Sequence, residues 1–119
     1  MNPEELRIYC LAKPDVSEAF PFDNNTLVFK VGGKMFALVG LNKYEFINLK
    51  CDPERAVLLR EEYEGVKPGY HMNKQHGNSV NLDGSVPIPL VKELIDHSYD
   101  LVFSSLSKKL QQEIREQNK

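Results

Sequence analysis

The sequence predicts an α+β domain of two layers, in which helices cover one face of an antiparallel sheet. Two apolar runs, TLVFKV and KMFALVG, are separated only by two glycines, which is typical of a tight β-hairpin. Apolar residues recur at helical spacing near both ends of the chain. We expect a single domain over residues 1–119 in the order α-β-β-β-α-β-β-α, with a polar terminal helix after about residue 107.

The N-terminal segment predicts a helix over residues 3–12. Pro3 suits a first helical position after Asn2 as the N-cap, and apolar residues follow at helical spacing. Residues 14–25 contain two prolines and two asparagines, so we expect a loop there.

The hairpin decides which side chains face the core. A two-residue loop pairs Val31 with Lys34, and continued pairing sets Phe29 against Phe36 and Leu27 against Leu38. Together with a third strand, EFINLKC, the predicted core face contains Leu27, Phe29, Val31, Phe36, Leu38, Ile47, Leu49 and Cys51. The opposite face is predicted to contain Thr26, Val28, Lys30, Met35, Ala37, Val39, Phe46, Asn48 and Lys50.

The second half of the chain predicts three further helices and two short strands. Asp52-Pro53 marks the start of a helix that runs to about Tyr63, and VKPGYHM and NSVNL follow as strands. Ser107 is the expected cap of the last helix, SKKLQQEIREQ. Before it, a helix starting near Pro87 or Pro89 carries an apolar stripe formed by Leu90, Val91, Leu94, Ile95, Ser98, Tyr99, Val102 and Phe103.

The composition is that of a globular protein, with 41% apolar and 27% charged residues. The formal net charge of −2 does not predict strong non-specific binding to nucleic acid. Cys10 and Cys51 match no metal-ligand spacing, so we interpret them as core residues of a reduced protein. The N-terminus does not resemble a signal peptide and no stretch approaches the ~18 apolar residues of a membrane span. We therefore expect a cytoplasmic protein with no membrane partner.

The charge is segregated along the chain. Residues 26–51 contain four lysines and one glutamate, a net charge of +3, and residues 65–82 contain two lysines and no acid. The remainder of the chain therefore has a net charge of −7. Basic strand segments beside acidic helical segments are expected if one side of the protein meets anions. The alternative is that lysines near strand edges discourage aggregation between sheets.

The stretch GYHMNKQHGNSVNLDG, residues 69–84, contains the densest group of candidate site residues. The side chains of His71, Asn73, Lys74 and His76 are donors or potential donors, and turn amides add to them, so the stretch suits an anion or a phosphate. Asn and Gly also favour tight turns, which explains the same composition without a ligand.

Metal binding and catalysis are not predicted here. His71 and His76 lack the helical i, i+4 spacing and a nearby cysteine or acid, and His76 with Ser79 has no third orienting group. We predict no metal, no cofactor and no catalytic residue. His97 is expected on the solvated face of its helix, paired with Glu93.

Four blocks of the chain resemble the MmcQ/YjbR family of small bacterial proteins: LVFKVGGKMFAL, INLKCDPERAVLLREEY, PGYHMNKQHGNSVNLDGSVP and LIDHSYDLV. The resemblance extends from about Tyr9 to Leu106. It implies a CyaY-like two-layer fold, related to type III secretion chaperones, and a DNA-binding role through a "double wing" motif. Where the family commonly has His-Trp, this chain has His76-Gly77, and it contains no tryptophan.

The leading expectation is therefore a small, cytosolic, non-enzymatic binding protein, a monomer or weak dimer, with DNA as its partner. The expected phosphate contacts are Lys30, Lys50, Lys67, His71, Asn73, Lys74 and His76. One alternative is a protein- or peptide-binding module that uses the second sheet face. A third is an enzyme or an anion-ligand site at His71 and His76.

Overall fold

The structure is a computed structural model that describes residues 1–69 and 76–118. The elements are α1 (Pro3–Leu11), β1 (Val16–Ala19), β2 (Thr26–Val31), β3 (Lys34–Gly40), β4 (Phe46–Lys50), α2 (Pro53–Glu62), β5 (Val66–Pro68), β6 (Gly77–Asn81), α3 (Ile88–Ser105) and α4 (Lys108–Gln117).

The six strands form one antiparallel sheet in the order β1-β2-β3-β4-β6-β5. Helix α3 packs across β2, β3 and β4, while α1 contacts β1 and α2 contacts β5 and β6. Buried residues of helices α1, α2, α3 and α4 share one core cluster with strand residues such as Phe29 and Ile47, so the helices lie on one side, which we call the helical face. The opposite side, which we call the open face, is covered by no helix of the described ranges. The predicted α+β class is confirmed.

Strand β1 lies inside the segment predicted as a loop, so the prediction for residues 14–25 was wrong at Val16–Ala19. The segment pairs in antiparallel register with β2 and forms one edge of the sheet. Asp15, at φ +59°, turns the chain into the strand, and the Arg7 guanidinium on α1 donates two hydrogen bonds of 2.7 Å to the Glu18 carboxylate. Long-range pairing therefore overrides a local sequence that favours turns.

The register of the hairpin shifts within the β2–β3 ladder. Val31 pairs with Lys34 as predicted, but an irregularity between Phe29 and Lys30 moves the later pairs by one residue. Phe29 then opposes Ala37, not Phe36. The extra residue on β3 is a β-bulge. The two predicted pairs beyond it were therefore wrong.

The bulge exchanges residues between the two faces of β3. Leu27 opposes Val39, and Leu38 opposes Val28 on the open face. The core consequently contains Phe36, Ala37 and Val39, and Leu38 is absent from it. Side chains alternate along a strand, so one inserted residue reverses every face assignment after it. The predictions for Ala37, Leu38 and Val39 were wrong for this reason.

Ser98 of α3 lies at the bulge, fully buried with 0% exposure. Its hydroxyl donates a 2.5 Å hydrogen bond to the Phe36 carbonyl and accepts a 2.9 Å hydrogen bond from the Lys50 amide. The β3–β4 ladder pairs residues only as far as Ala37 and Leu49. The serine side chain therefore satisfies two backbone groups that face each other where the two strands stop pairing.

The predicted apolar stripe of α3, the Ser107 cap and the burial of both cysteines are confirmed. Tyr99 of the stripe packs edge-on against Phe36, with ring centroids 5.4 Å apart. The Ser107 hydroxyl caps α4 by accepting the Leu110 amide at 3.2 Å. The cysteines are buried free thiols, and burial raises the pKa of Cys10 to about 12.

Replacing Ser98 by alanine is expected to destabilise the protein by about 2 kcal/mol, because two buried backbone groups lose their partner. Urea denaturation followed by circular dichroism measures this. Ser105→Ala is the control, since this exposed hydroxyl only donates to the Val102 carbonyl of its own helix. Equal losses in the two variants would contradict the bridging role of Ser98.

Candidate functional site

Three of the predicted lysines lie on alternate strands of the open face. Strand pairing puts Lys30 on β2, Lys50 on β4 and Lys67 on β5, which are the second, fourth and sixth strands across the sheet. Neighbouring strands are about 4.8 Å apart, so successive lysines are separated by roughly 10 Å across the sheet. Lys67 is also offset along the strands, because it opposes Ser79 of β6 while Lys50 opposes Gly77. We call these three residues the lysine row.

The strand positions that share the open face carry no acidic side chain within residues 1–69 and 76–118. Glu18 of β1 points the other way, towards Arg7 of α1. Glu45 lies in the β3–β4 connection, where it lines a hollow of about 190 Å³ together with Lys43. The sheet part of the open face is therefore cationic, and the acid at its margin is accompanied by a lysine.

The open face is less apolar than the sequence suggested. Val28 and Leu38 have exposures of 1% and 4%, so they add little accessible apolar surface. Met35 and Phe46 are the large apolar side chains of the open-face strand positions that stay partly exposed in the described part of the chain. The buried Ser79 hydroxyl donates a 2.5 Å hydrogen bond to the Asn48 side-chain oxygen.

A cavity of about 590 Å³ is the second feature of interest. Strand β4 pairs with β6 as far as Lys50 and Gly77, whereas its pairing with β3 stops earlier, at Leu49. The cavity lies where these strands part, and its apolar lining comes from Met35, Pro53, Leu101 and Val102. We call it the α3 cavity.

The polar lining of the α3 cavity joins distant parts of the chain: Lys50, Asp52, His76 and Ser105. Neither the Lys50 ammonium nor the His76 imidazole has a hydrogen-bond or ion-pair partner among the described residues. The Asp52 carboxylate accepts the Arg55 amide at 3.2 Å as the N-cap of α2.

The strand next to His76 is held by α2. The Arg60 guanidinium donates hydrogen bonds to the Gly77 carbonyl at 3.0 Å and to the Asn78 side-chain oxygen at 2.6 Å. The His76 carbonyl accepts the Cys51 amide at 2.7 Å. These bonds fix the start of β6 against the end of β4. His76 therefore lies at the cavity that Lys50 also lines.

His97 does not pair with Glu93 as predicted. Its Nε2 atom accepts a 3.1 Å hydrogen bond from the Asp52 amide, while Glu93 forms a 2.9 Å ion pair with Arg55. Burial, together with the nearby Arg55 charge, lowers the pKa of His97. The neutral imidazole is the form that can accept this bond, so α3 caps the start of α2 with a histidine.

The structure thus brings together only some of the predicted site residues. Lys50 and His76 share the α3 cavity, and Lys30 and Lys67 flank Lys50 on the open face. His71, Asn73 and Lys74 lie outside the described residues.

The α3 cavity was not predicted from the sequence. Asp52 was predicted only as a helix cap and Met35 only as part of the second sheet face, and Leu101 and Ser105 gave no signal of a site. These residues meet only because α3 crosses the strands where they diverge.

Cys51 also lines the cavity, beside the histidine. Burial raises the pKa of its thiol, which opposes formation of the nucleophilic thiolate. Among the described residues, no group of three histidine, cysteine or acidic side chains could hold a metal ion.

A family model and two relatives relate this chain to the same group of bacterial proteins. The model of the YjbR family matches residues 11–101. The chain is 40% identical over 113 residues to the protein YbdF of Escherichia coli O157:H7, covering 94% of this chain and 93% of that one. It is 38% identical to YjbR of Escherichia coli K12 over 100 residues, covering 83% and 85% of the two chains.

Solved structures agree. A Deinococcus radiodurans protein, described by the family-model domain DUF419, superposes with a TM-score of 0.89 at 42% identity, covering 93% of this chain and 86% of that one. A Pseudomonas syringae protein superposes with a TM-score of 0.73 at 30% identity, covering 86% and 99%. In the described part of this chain, no helix is long and apolar enough to cross a membrane.

We expect wild-type stability to fall, relative to that of His97→Gln, as the pH decreases from about 7.5 to about 5. The pKa of His97 is lowered on folding from its usual 6.5, so the unfolded chain takes up the proton first. The stabilisation is complete above the unfolded pKa and is lost as the pH falls through the folded pKa. Urea denaturation of both proteins at several pH values measures the difference, and parallel stability curves would refute the assignment.

Proposed function

The chain belongs to the YjbR family, and from this premise we propose that it is a DNA-binding protein that contacts the phosphate backbone with its open face. The observation that carries the proposal is the lysine row, Lys30, Lys50 and Lys67, on a side of the sheet whose described strand positions carry no acid. Clustered cations on one face are the electrostatic feature expected of nucleic-acid binding.

The chemistry of the open face favours phosphate contacts over base reading. Its described strand positions contain no arginine, which is the residue that most often reads guanine in the major groove. Lysine acts as a point charge towards phosphate and carries no information about base identity. The proposed binding is therefore largely independent of DNA sequence.

The register of β3 weakens the case for a peptide-binding face. The bulge turns Ala37 and Val39 towards the core, and Val28 and Leu38 are nearly fully buried. A protein-binding patch needs contiguous exposed apolar surface, and here the cationic groups exceed the apolar ones. This balance supports an anionic polymer over an apolar peptide as the partner.

A binding role is also preferred to catalysis. The thiol in the α3 cavity has a raised pKa, and His97, the other histidine near Asp52, uses its Nε2 atom to accept a backbone amide. Neither group is arranged as an activated nucleophile or as a free general base. We therefore propose that the protein acts by binding and not by turnover.

Fluorescence anisotropy with labelled duplex DNA of about 20 base pairs tests the proposal. Three phosphate contacts predict that the logarithm of the binding constant falls with the logarithm of salt concentration at a slope of about −3. A single strand of the same length is expected to give a slope of about −2. No binding at low salt, or binding that is indifferent to salt, would contradict the proposal.

The double variant Lys30→Gln/Lys67→Gln is expected to weaken duplex binding by at least about tenfold at low salt and to reduce the salt slope by about 2. Lys108→Gln/Lys109→Gln is the matched control, because it removes the same charge from exposed positions at the start of α4. If the control weakens binding as much, net charge and not the lysine row controls affinity. Circular dichroism verifies that both variants fold.

A further inference from the structure

The α3 cavity has the dimensions and lining of a small-molecule site. Its volume of about 590 Å³ lies within the range of about 300–1,000 Å³ found for ligand pockets. Met35, Pro53, Leu101 and Val102 give it apolar walls, and polar groups are confined to a few positions. A ligand that fills it therefore needs a compact apolar body.

The charge at the cavity favours an anion. Lys50 and His76 both line it, and the Lys50 ammonium has no ion-pair partner in the described part of the chain. The His76 imidazole offers a second nitrogen donor. A charge beside apolar walls loses part of its hydration. Its electrostatic attraction to a group of opposite charge is therefore stronger there than in open water.

Asp52 is the acid that also lines the cavity, and it would repel an anion if it were unpaired. Its Oδ2 atom accepts the Arg55 amide, at the N-terminus of α2, where the helix dipole is positive. The Arg55 side chain is engaged in its ion pair with Glu93. The aspartate charge is thus offset locally, while that of Lys50 is not.

The walls of the cavity are held in place before any ligand arrives. Ser98, Leu101, Val102 and Ser105 follow the i, i+3, i+4, i+7 spacing of one side of α3, and the Ser98 hydroxyl ties that side to the Phe36 and Lys50 backbones. A preformed site loses less conformational freedom on binding.

From this geometry we propose that the α3 cavity binds a small organic carboxylate with an apolar body, whose carboxylate contacts Lys50 and His76 and whose body packs between Leu101, Met35 and Pro53. The site does not depend on DNA binding, although Lys50 belongs to both surfaces. The proposal gives the cavity its own class of ligand, and of the lysine row only Lys50 takes part in it.

Titration with 2-naphthoate, followed by ¹H–¹⁵N correlation spectra, tests the site. Amide shifts are expected at Lys50, Leu101 and Ser105, which are among the residues that line the cavity. The uncharged 2-naphthamide and the cation 2-naphthylmethylammonium have nearly the same body, and both are expected to bind at least about tenfold more weakly. Equal affinity for the three compounds, or tighter binding of the cation through Asp52, overturns the proposal. So does the absence of shifts at these amides.

Variants separate this site from the open face. Lys50→Met keeps an apolar stem, removes the charge and is expected to weaken 2-naphthoate binding about tenfold, whereas Lys67→Met, at the far edge of the sheet, is expected to leave it unchanged. Leu101→Glu, at a position 38% exposed, adds a repelling charge and is expected to abolish 2-naphthoate binding. Equal effects of Lys50→Met and Lys67→Met would refute the site.

The two proposals can fail separately. Lys67→Met is expected to weaken DNA binding alone, since its residue does not line the cavity. Leu101→Glu is expected to affect 2-naphthoate far more than DNA, since Leu101 lies on α3 and outside the open face. If the wild-type protein binds 2-naphthoate but not DNA, only the proposed function is rejected, and if it binds DNA but not 2-naphthoate, only the cavity proposal is rejected.

Discussion

The pair of hydrogen bonds made by the buried Ser98 hydroxyl is the interaction on which both proposed binding surfaces depend. It joins the carbonyl of Phe36 to the amide of Lys50 at the point where β3 and β4 cease to pair. An unpaired backbone group in this position would carry a desolvation cost, so the two strands can part there only because a side chain satisfies both groups. The bulge, the exchange of faces on β3 and the α3 cavity all lie at this one point.

Lys50 connects the two proposed binding surfaces. It is the middle member of the lysine row, and it also lines the α3 cavity. An organic anion bound at Lys50 would neutralise the central charge of the row and so weaken any phosphate contact made there. Electrostatics thus couples a small pocket to a large surface without requiring a conformational change.

The helical side supports these surfaces through the start of α2. The Asp52 side chain caps the helix, and its backbone amide donates a hydrogen bond to His97 of α3. Arg55 forms an ion pair with Glu93 of α3. Helix α3 therefore contacts both backbone and side-chain groups of the first turn of α2. Arg60, two turns later, holds the beginning of β6. Arg55, Arg60 and Glu93 on the helices therefore position neighbouring elements, while Lys50 has no ion-pair partner among the described residues.

Local patterns were sufficient for most of the elements. Helical spacing predicted the stripe of α3, the capping residues Asn2, Asp52 and Ser107 marked helix starts, and the paired glycines marked the hairpin. Strand β1 escaped prediction because its sequence favours turns, and it is a strand only through its pairing with β2. The predicted pairing of His97 with Glu93 was wrong because the i, i+4 rule considers a single helix. His97 instead accepts a hydrogen bond from the Asp52 amide at the start of α2.

The sequence by itself determined the α+β class, the family and the lysines that lie on strands, because periodicity and motif blocks are properties of short segments. Tertiary structure alone decided that Leu38 lies on the open face and Ala37 on the helical face, because one inserted residue at a bulge reverses the alternation and leaves no mark in composition. It alone also brought Lys50, His76 and Leu101 to one cavity, because the contact depends on where α3 crosses two diverging strands.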